Sequence, residues 1–344
     1  MYGIREKLLE RLSDVMPAYE IELKAELAEK IIALKHRKNA VILGHNYMEP
    51  ALYLSIPDFT GDSLELCRKA AATQKDIIVF CGVRFMAETA KMLNPEKKVL
   101  IPSPKAGCSL AESITAEDVR QLKKLYPGVP VVTYINTYAD VKAECDICCT
   151  SGNAARVVQS LGDQPVIFLP DEFLASNVAK ETGKQIIFPT KSPRGQLSKN
   201  PALNYQVVGW QGRCEVHEQF TVDDIENVRA QFPDVVIIAH PECSPEVVSA
   251  SDFSGSTSEM LAYVRDVDAP RYLLLTECSM GDNIAAENPR KEMLRLCSIR
   301  CPHMNEITLE DTLTALEKEQ YEVTLDEDIR LRALASVERM LAIG

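Results

Sequence analysis

The chain repeats one pattern of residues three times, and this repetition restricts its fold more than any other feature of the sequence. Each copy opens with a short, largely β-branched run that ends in polar side chains. These runs are residues 40–47, 131–136 and 235–242. Short apolar runs of this kind are typical of buried strands. A segment of small polar residues follows each run and suits the start of a helix. These segments are residues 58–64, 146–153 and 252–259.

A second strand, a helix and a third apolar run complete each copy. The predicted second strands are residues 76–80, 166–169 and 272–275. The predicted helices are residues 85–93, 172–182 and 283–287. The predicted third strands are residues 99–101, 185–188 and 293–296. Strands that alternate with helices indicate parallel sheets with right-handed crossovers. We therefore predict an α/β fold of three small repeated domains related by a pseudo-threefold axis.

A single cysteine follows the third run of each copy and precedes a helix start by the same distance. Cys108, Cys214 and Cys301 each lie seven residues before a threonine. The threonines open residues 115–118, 221–224 and 308–311, which have the Ser/Thr-x-x-acidic form of a helix start. Because the three copies are related by symmetry, these cysteines are expected to meet at one point.

Three converging thiolates predict an iron–sulfur centre. They can hold a [4Fe–4S] cluster and leave its fourth iron without a protein ligand, as an open Lewis acid. Zinc is the alternative, with His217 or His303 as its fourth ligand. Cys145, Cys148 and Cys149 occur in one copy only, so we expect them to pack in the core.

Polar side chains at the ends of the first strands predict a ligand site, because ligands of open parallel sheets bind beyond the carboxyl ends of strands. These side chains are His45, Asn46, Tyr47, Tyr134, Asn136, His240 and Glu242. The predicted helix starts at Ser63, Ser151 and Ser256–Thr257 add free backbone N–H groups, which suit carboxylate or phosphate. If the three domains face each other, both sets converge on one central cavity that can bind an anion.

Composition excludes several classes of protein. The chain of 344 residues has a net charge of −12 and no basic stripe, which argues against a nucleic-acid surface. No apolar run is long enough to span a membrane, and the first residues lack the apolar core of a secretory signal. We therefore expect a cytoplasmic protein without a membrane partner. In that compartment the eleven cysteines are not a disulfide framework.

The repeat divides the chain into three domains and two terminal segments. We predict N-terminal helices over residues 1–38, the second of which packs on the first domain. The α/β domains are predicted over residues 39–125, 126–232 and 233–320, and a C-terminal strand and helix over residues 321–344. The middle copy is longer, and residues 191–211 are interpreted as an insertion loop.

Seven short motifs resemble those of the quinolinate synthase A family, iron–sulfur enzymes of NAD biosynthesis. The resemblance extends from about residue 40 to residue 316. The motifs are GHNY at 44–47, GDS at 61–63, GVRFMAE at 82–88, YIN at 134–136, CTS at 149–151, HPEC at 240–243 and GST at 255–257. The resemblance implies a triangular arrangement of three-layer α/β/α domains with the active site at their central junction. It also implies one [4Fe–4S] cluster per chain, with one cysteine ligand from each domain.

The resemblance also implies the reaction and its partners. Iminoaspartate condenses with dihydroxyacetone phosphate, and phosphate and two waters are lost as quinolinate forms. The implied partners are these two small molecules and, in transient contact, L-aspartate oxidase or another source of iminoaspartate. Two alternative functions stay open, a [4Fe–4S] hydro-lyase acting on a hydroxy acid and a non-enzymatic iron–sulfur sensor.

The resemblance assigns roles to residues of the predicted cavity. Glu242 and Tyr47 are expected to transfer protons, assisted by Tyr134, His45 and His240. The residues expected to bind substrate are His45, Ser63, Tyr134, Ile135, Asn136, Ser151, His240, Pro241, Glu242, Ser256 and Thr257. Some relatives carry a C-x-x-C-x-x-C redox motif near the last cysteine ligand. This chain has Cys297-Ser-Ile-Arg-Cys301 there, a spacing that argues against such a switch.

Overall fold

Two helices lead into the first of three parallel sheets. The structure is a computed structural model that describes residues 3–192, 195–200, 204–296 and 299–343. The first two helices are α1 (Ile4–Leu12) and α2 (Ala18–Arg37), and Pro17 is the N-cap of the second. Helix α2 contacts the first strand of the first sheet.

The first α/β unit is built on four parallel strands in the order β2-β1-β3-β4. Its elements are β1 (Ala40–His45), α3 (Pro50–Tyr53), β2 (Phe59–Gly61), α4 (Ser63–Ala72), β3 (Ile77–Cys81), α5 (Arg84–Leu93), β4 (Lys98–Leu100), α6 (Ser109–Glu112) and α7 (Ala116–Leu125). Every residue of β1 and β3 is buried. Burial on both faces is what a parallel sheet covered by helices requires.

The second unit has five parallel strands in the order β6-β5-β7-β11-β8. Its elements are β5 (Val131–Tyr134), α8 (Ala139–Lys142), β6 (Ile147–Cys149), α9 (Ala154–Ser160), β7 (Val166–Leu169), α10 (Glu172–Glu181), β8 (Ile186–Ile187), β9 (Thr190–Lys191), β10 (Leu197–Ser198), β11 (Val207–Gly209) and α11 (Val222–Gln231). Strands β9 and β10 form a separate antiparallel pair.

The third strand of the second unit lies elsewhere than the sequence predicts. Strand β11 pairs with β7, whereas the predicted segment 185–188 supplies only the edge strand β8 on the far side of β11. The predicted insertion 191–211 therefore contains a strand of the sheet. Both segments are short apolar runs, and periodicity does not decide which of two such runs lies next to the central strand.

The third unit returns to four parallel strands, in the order β13-β12-β14-β15. Its elements are β12 (Val236–Ala239), α12 (Pro245–Ala250), β13 (Phe253–Ser254), α13 (Thr257–Asp266), β14 (Arg271–Leu275), α14 (Cys278–Glu287), β15 (Glu292–Leu294) and α15 (Leu309–Lys318), before a last helix, α16 (Glu327–Ile343). The strand predicted at 321–325 is a single antiparallel bridge between Leu100 and Glu322.

One hydrogen bond to an aspartate recurs in all three units and shows that they are structural repeats. The aspartate that begins each predicted small polar segment accepts a hydrogen bond from a backbone N–H of the first strand. These pairs are Ile42–Asp58 (2.8 Å), Val131–Asp146 (2.7 Å) and Ile237–Asp252 (2.8 Å). The short edge strands β2, β6 and β13 follow directly, and the sequence prediction does not include them.

The helices after the three cysteines begin where the sequence predicts. The side chains of Thr115, Thr221 and Thr308 each accept the backbone N–H three residues later. Each helix then packs on the following sheet: α7 on the second, α11 on the third and α15 on the first. The predicted boundaries at 125, 232 and 320 assign each helix to the preceding domain instead. No described helix is both long and apolar enough to cross a membrane.

Candidate active site and metal centre

A cavity at the junction of the three units collects most of the predicted site residues. Its lining includes His45, Tyr47, Ser63, Tyr134, Asn136, Ser151, His240, Glu242 and Thr257 together with Cys108, Cys214 and Cys301. Within the described part of the chain, Ile135, Pro241 and Ser256 are not among the lining residues. Ser256 instead accepts the Glu259 N–H at 3.3 Å as the N-cap of α13.

The three cysteine loops are held by the same backbone contact. In each unit, the first residue of a helix donates its N–H to the carbonyl two residues before the cysteine. These contacts are Arg84 to Ala106 (2.8 Å), Glu172 to Gly212 (2.8 Å) and Cys278 to Ile299 (3.0 Å). A short helical turn follows each cysteine: α6, and the 3-10 turns His217–Gln219 and Met304–Glu306. One thiol from each unit therefore reaches the cavity from an equivalent loop.

The chemistry of these thiols suits a metal centre. Burial raises the pKa of Cys301 to about 11 and raises the pKa values of Cys108 and Cys214 further. A bound metal has to displace these protons, because only thiolate binds metal. Cys214 also forms a group with His217 and Glu242 whose ligand atoms all lie within 4.8 Å of one another. This group could hold a single metal ion.

The remaining described cysteines lie outside this centre. Ten of the eleven are described, and none of these ten forms a disulfide. Cys145, Cys148 and Cys149 are buried in the second unit, which agrees with a packing role. Cys297 lies outside the described residues, so the spacing of Cys297 and Cys301 stays a feature of the sequence alone.

A chain of hydrogen bonds crosses the cavity wall from Tyr47 to Tyr134. The Tyr47 hydroxyl lies 2.6 Å from the Thr276 hydroxyl, which lies 3.0 Å from His217 Nε2. His217 Nδ1 lies 2.8 Å from one oxygen of Glu242, and the Tyr134 hydroxyl donates to the other at 2.5 Å. Because an ionised carboxylate only accepts, the His217 Nδ1 that faces Glu242 carries a proton. The three units thus share one connected path for protons.

The ionisation states along this path differ because the surroundings differ. Burial alone would raise the pKa of Glu242, but His217, His240 and the Tyr134 hydroxyl lower it below its usual value. Burial raises the pKa of Tyr47 and of Tyr134 well above the ordinary range. At neutral pH this path of hydrogen bonds therefore holds one carboxylate acceptor, Glu242, between two protonated phenols.

Two cavity histidines are neutral hydrogen-bond donors. Burial lowers the pKa of His45 to about 4 and that of His240 to about 3. Nδ1 of each ring accepts the backbone N–H two residues later, at 3.2 Å from Tyr47 and 3.3 Å from Glu242. The proton of each neutral ring therefore resides on Nε2.

Two helix starts border the cavity and offer backbone donors. Ser63 and Thr257 are the first residues of the ten-residue helices α4 and α13. Asp62 already accepts the Leu64 and Glu65 N–H groups of α4, and Ser256 accepts that of Glu259 in α13. The earlier N–H groups, those of Ser63, Thr257 and Ser258, are the donors that suit carboxylate or phosphate. Ser151 differs from the prediction, since α9 begins at Ala154 with Asn153 as its N-cap. Asn136 Oδ1 is buried without a hydrogen-bond partner among the described residues, so a polar ligand atom would satisfy it.

Sequence reasoning missed two members of the proton path. His217 entered only as an alternative zinc ligand, although its position three residues after Cys214 places it at the same cavity. Thr276 directly follows β14, so the rule about strand ends could have found it. The role of either residue cannot be deduced from one copy of the repeat, because the contacts of both residues cross from one unit to another.

Comparisons with known proteins extend the similarity over almost the whole chain. A family model described as "Quinolinate synthetase A protein" matches residues 29–342. Quinolinate synthase 2 of Mesorhizobium japonicum is 50% identical over 336 residues, which cover 98% of this chain and 97% of the relative. Quinolinate synthase of Agrobacterium fabrum is 52% identical over 336 residues, 98% of this chain and 91% of the relative. That of Xylella fastidiosa strain 9a5c is 49% identical over 343 residues, 99% and 95% respectively.

Proposed function

Since the chain belongs to the quinolinate synthetase A family, as its motifs suggested, we propose that it is a quinolinate synthase. It condenses iminoaspartate with dihydroxyacetone phosphate and releases phosphate and two waters as the pyridine ring forms. The observation that carries this proposal is the single cavity in which three equivalent cysteines meet the hydrogen-bonded path from Tyr47 to Tyr134.

Cys108, Cys214 and Cys301 are proposed to hold one [4Fe–4S] cluster. Their fit rests on one thiol from each unit, loops fixed by the same backbone contact and a shared cavity. When bound, such a cluster supplies an iron without a protein ligand, a Lewis acid suited to dehydration. A zinc ion is the second candidate, because Cys214, His217 and Glu242 could also bind one metal ion.

The proton path supplies general acid and base groups. Condensation and dehydration need a base that removes a proton from carbon and acids that protonate departing oxygens. Glu242 is the base, because it is a carboxylate within a buried site. Tyr134 and Tyr47 are the acids, and Thr276 and His217 connect Tyr47 to Glu242. A proton taken at Glu242 can then return through either phenol.

Neutral donors bind the anionic substrates. Both substrates carry carboxylate or phosphate groups, and the helix starts at Ser63 and Thr257 offer backbone N–H groups to them. The Nε2–H groups of His45 and His240 donate hydrogen bonds to substrate oxygens. Backbone and imidazole donors therefore let a chain with a net charge of −12 bind anions.

Product formation tests this proposal. The protein is purified without oxygen and given dihydroxyacetone phosphate and iminoaspartate, the latter produced in place by L-aspartate oxidase. Quinolinate and phosphate should appear in equal amounts, and iron and sulfide should be present in the same sample. A cluster-bearing sample that makes no quinolinate but dehydrates a hydroxy acid would favour the hydro-lyase. A colourless zinc protein would overturn the cluster.

A further inference from the structure

Residues of helix α5 in the first unit hold a loop of the second. This loop, defined here as residues 134–138, runs from the last residue of β5 to the start of α8 and carries Tyr134, Ile135 and Asn136. The helix residues belong to the motif at 82–88, to which the proposed mechanism gives no role. We infer that Glu88 and Lys142 are positioning residues, which fix this loop so that Tyr134 and Asn136 meet Glu242 and the substrate.

Glu88 fixes the end of the loop from the neighbouring unit. Its carboxylate is only 2% exposed, and one oxygen accepts the backbone N–H of Ala139, the first residue of α8, at 2.9 Å. Arg84 Nε donates to the other oxygen at 2.8 Å, and the Arg84 guanidinium lies 4.9 Å from the centre of the Tyr138 ring. The contacts of one buried carboxylate thus join α5 to the start of α8.

Lys142, the last residue of α8, fixes the middle of the loop. Its side chain is fully buried, and its Nζ donates to the carbonyl of Ile135 at 2.8 Å and to the carbonyl of Thr137. The Phe85 ring of α5 lies 5.5 Å from the same nitrogen. Buried carbonyls without donors are costly, so the ammonium group determines where these two peptide groups can lie.

The loop position decides the contacts of Glu242. The Tyr134 hydroxyl and Asn136 Nδ2 lie 2.5 Å and 3.4 Å from one oxygen of Glu242, which belongs to the third unit. The loop is also tied by the Ile135 N–H, which donates to the Cys149 carbonyl at 2.8 Å, and by the Tyr138 hydroxyl, which donates to Glu112 at 3.4 Å. The Thr137 hydroxyl lies 3.2 Å from that of Thr133. A shift of about 1 Å in such a site can cost about a hundredfold in rate. The kinetic consequence of this inference rests on the proposed function, but the loop contacts do not.

Lys142→Met tests the inference against Lys35→Met, a matched control. Lys35 is also buried, and its Nζ donates to the Ile56 carbonyl and to Asp58, both at 2.9 Å, away from the cavity lining. With iron content unchanged, K142M should raise the KM of a substrate about tenfold and lower kcat about a hundredfold. K35M should lose thermal stability but keep both constants within about twofold. Equal kinetic constants in the two variants would overturn the inference.

Hydrogen–deuterium exchange separates this inference from the proposed function. Peptides covering residues 131–143 should exchange faster in K142M than in the wild type, and K35M should not change them. Glu88→Gln, a substitution in the first unit, should also speed exchange in the peptides covering residues 131–143. This variant keeps the test informative if K142M does not fold. Faster exchange in K142M, together with a wild type that makes no quinolinate, would retain the loop contacts and reject the function. Unchanged exchange in both E88Q and K142M would reject the positioning role.

Discussion

The cysteine loops and the strand ends of the cavity come from the same threefold repeat, but they use it differently. All three loops place a cysteine at the same position and hold it with the same backbone contact. The strand ends do not match in this way. Counted from the amide that bonds the repeated aspartate, His45, Tyr134 and His240 are equivalent. So are Tyr47, Asn136 and Glu242. Repetition suits the proposed metal centre, which needs equal ligands, and divergence suits the proposed proton transfer, which needs unequal groups.

The divergence has a direct electrostatic result. His45 and His240 share the same contact to Nδ1 and both stay neutral. At the third equivalent position Tyr134 donates to Glu242 instead and helps to lower its pKa. Of the equivalent residues Tyr47, Asn136 and Glu242, one is thus an ionised carboxylate, while the other two supply a phenol and an amide. Four predictions test this division between symmetric and asymmetric positions.

The largest expected effect is equal loss at the three cysteines. Cys108→Ser, Cys214→Ser and Cys301→Ser should each remove the cluster and lower the rate by about a thousandfold or more, because each thiolate holds one iron. Iron, sulfide and visible absorbance measure the cluster. Cys81→Ser is the control, since this buried thiol lies 3.7 Å from the Thr312 hydroxyl and away from the loops. A normal cluster in any one of the three variants would contradict the equivalence of the three cysteines.

The next effect is unequal loss at two of the three equivalent positions, 242 and 136. Glu242→Gln should lower kcat by about a thousandfold, because it removes the base but keeps the shape of the side chain. Asn136→Ala should cost only about tenfold, because its contact to Glu242 is long, at 3.4 Å. Steady-state rates of cluster-bearing samples measure both. Equal losses would mean that the two positions share one role.

A smaller effect concerns pH. Because the pKa values of His45 and His240 are lowered to about 4 and about 3, both rings should stay neutral at moderately acidic pH. Quinolinate affinity should therefore change less than about threefold between about pH 8 and about pH 6. As pH falls, these two histidines become protonated in the unfolded chain before they do in the folded chain. The free energy of unfolding should therefore fall as pH falls from about 6.5 towards 4. The neutral state of these rings would be contradicted if quinolinate bound about tenfold more tightly at low pH and if H45N abolished this change.

The smallest effect tests symmetry in the helix starts. Thr115→Ala and Thr221→Ala should each lower the free energy of unfolding by about 1 kcal/mol, because each removes a side-chain cap. Thr308→Ala should cost somewhat less, since the reciprocal contact from Asp311 to the backbone of Thr308 is lacking there. Chemical denaturation without oxygen measures the three values. A loss at one threonine only would show that the caps are not equivalent.

The sequence predicted features that depend on residues close together in the chain. The cysteines at a fixed distance from Thr115, Thr221 and Thr308 predicted three loops and three helices, and the structure has both. Besides the cysteines, strand ends predicted six lining residues and helix starts predicted three more. These patterns are local, and each of them occurs three times in the sequence because of the repeat.

The features that sequence missed depend on contacts between units or on very short elements. Strands β2, β6 and β13 are two or three residues long, too short for an alternation of apolar and polar residues. Strand β11 follows a loop that looks like an insertion, and only pairing with β7 reveals it. The link from Thr276 through His217 to Glu242 joins the second unit to the third. One copy of the repeat cannot reveal such a link.

The convergence of one cysteine from each unit on a single open cluster is tested most directly by Mössbauer spectroscopy. Oxygen-free protein enriched in iron-57 is measured with and without quinolinate. We predict one [4Fe–4S] cluster per chain, in which quinolinate shifts the signal of about one iron in four. Four irons that stay equivalent with quinolinate, or zinc in place of iron, would contradict an open [4Fe–4S] cluster at Cys108, Cys214 and Cys301.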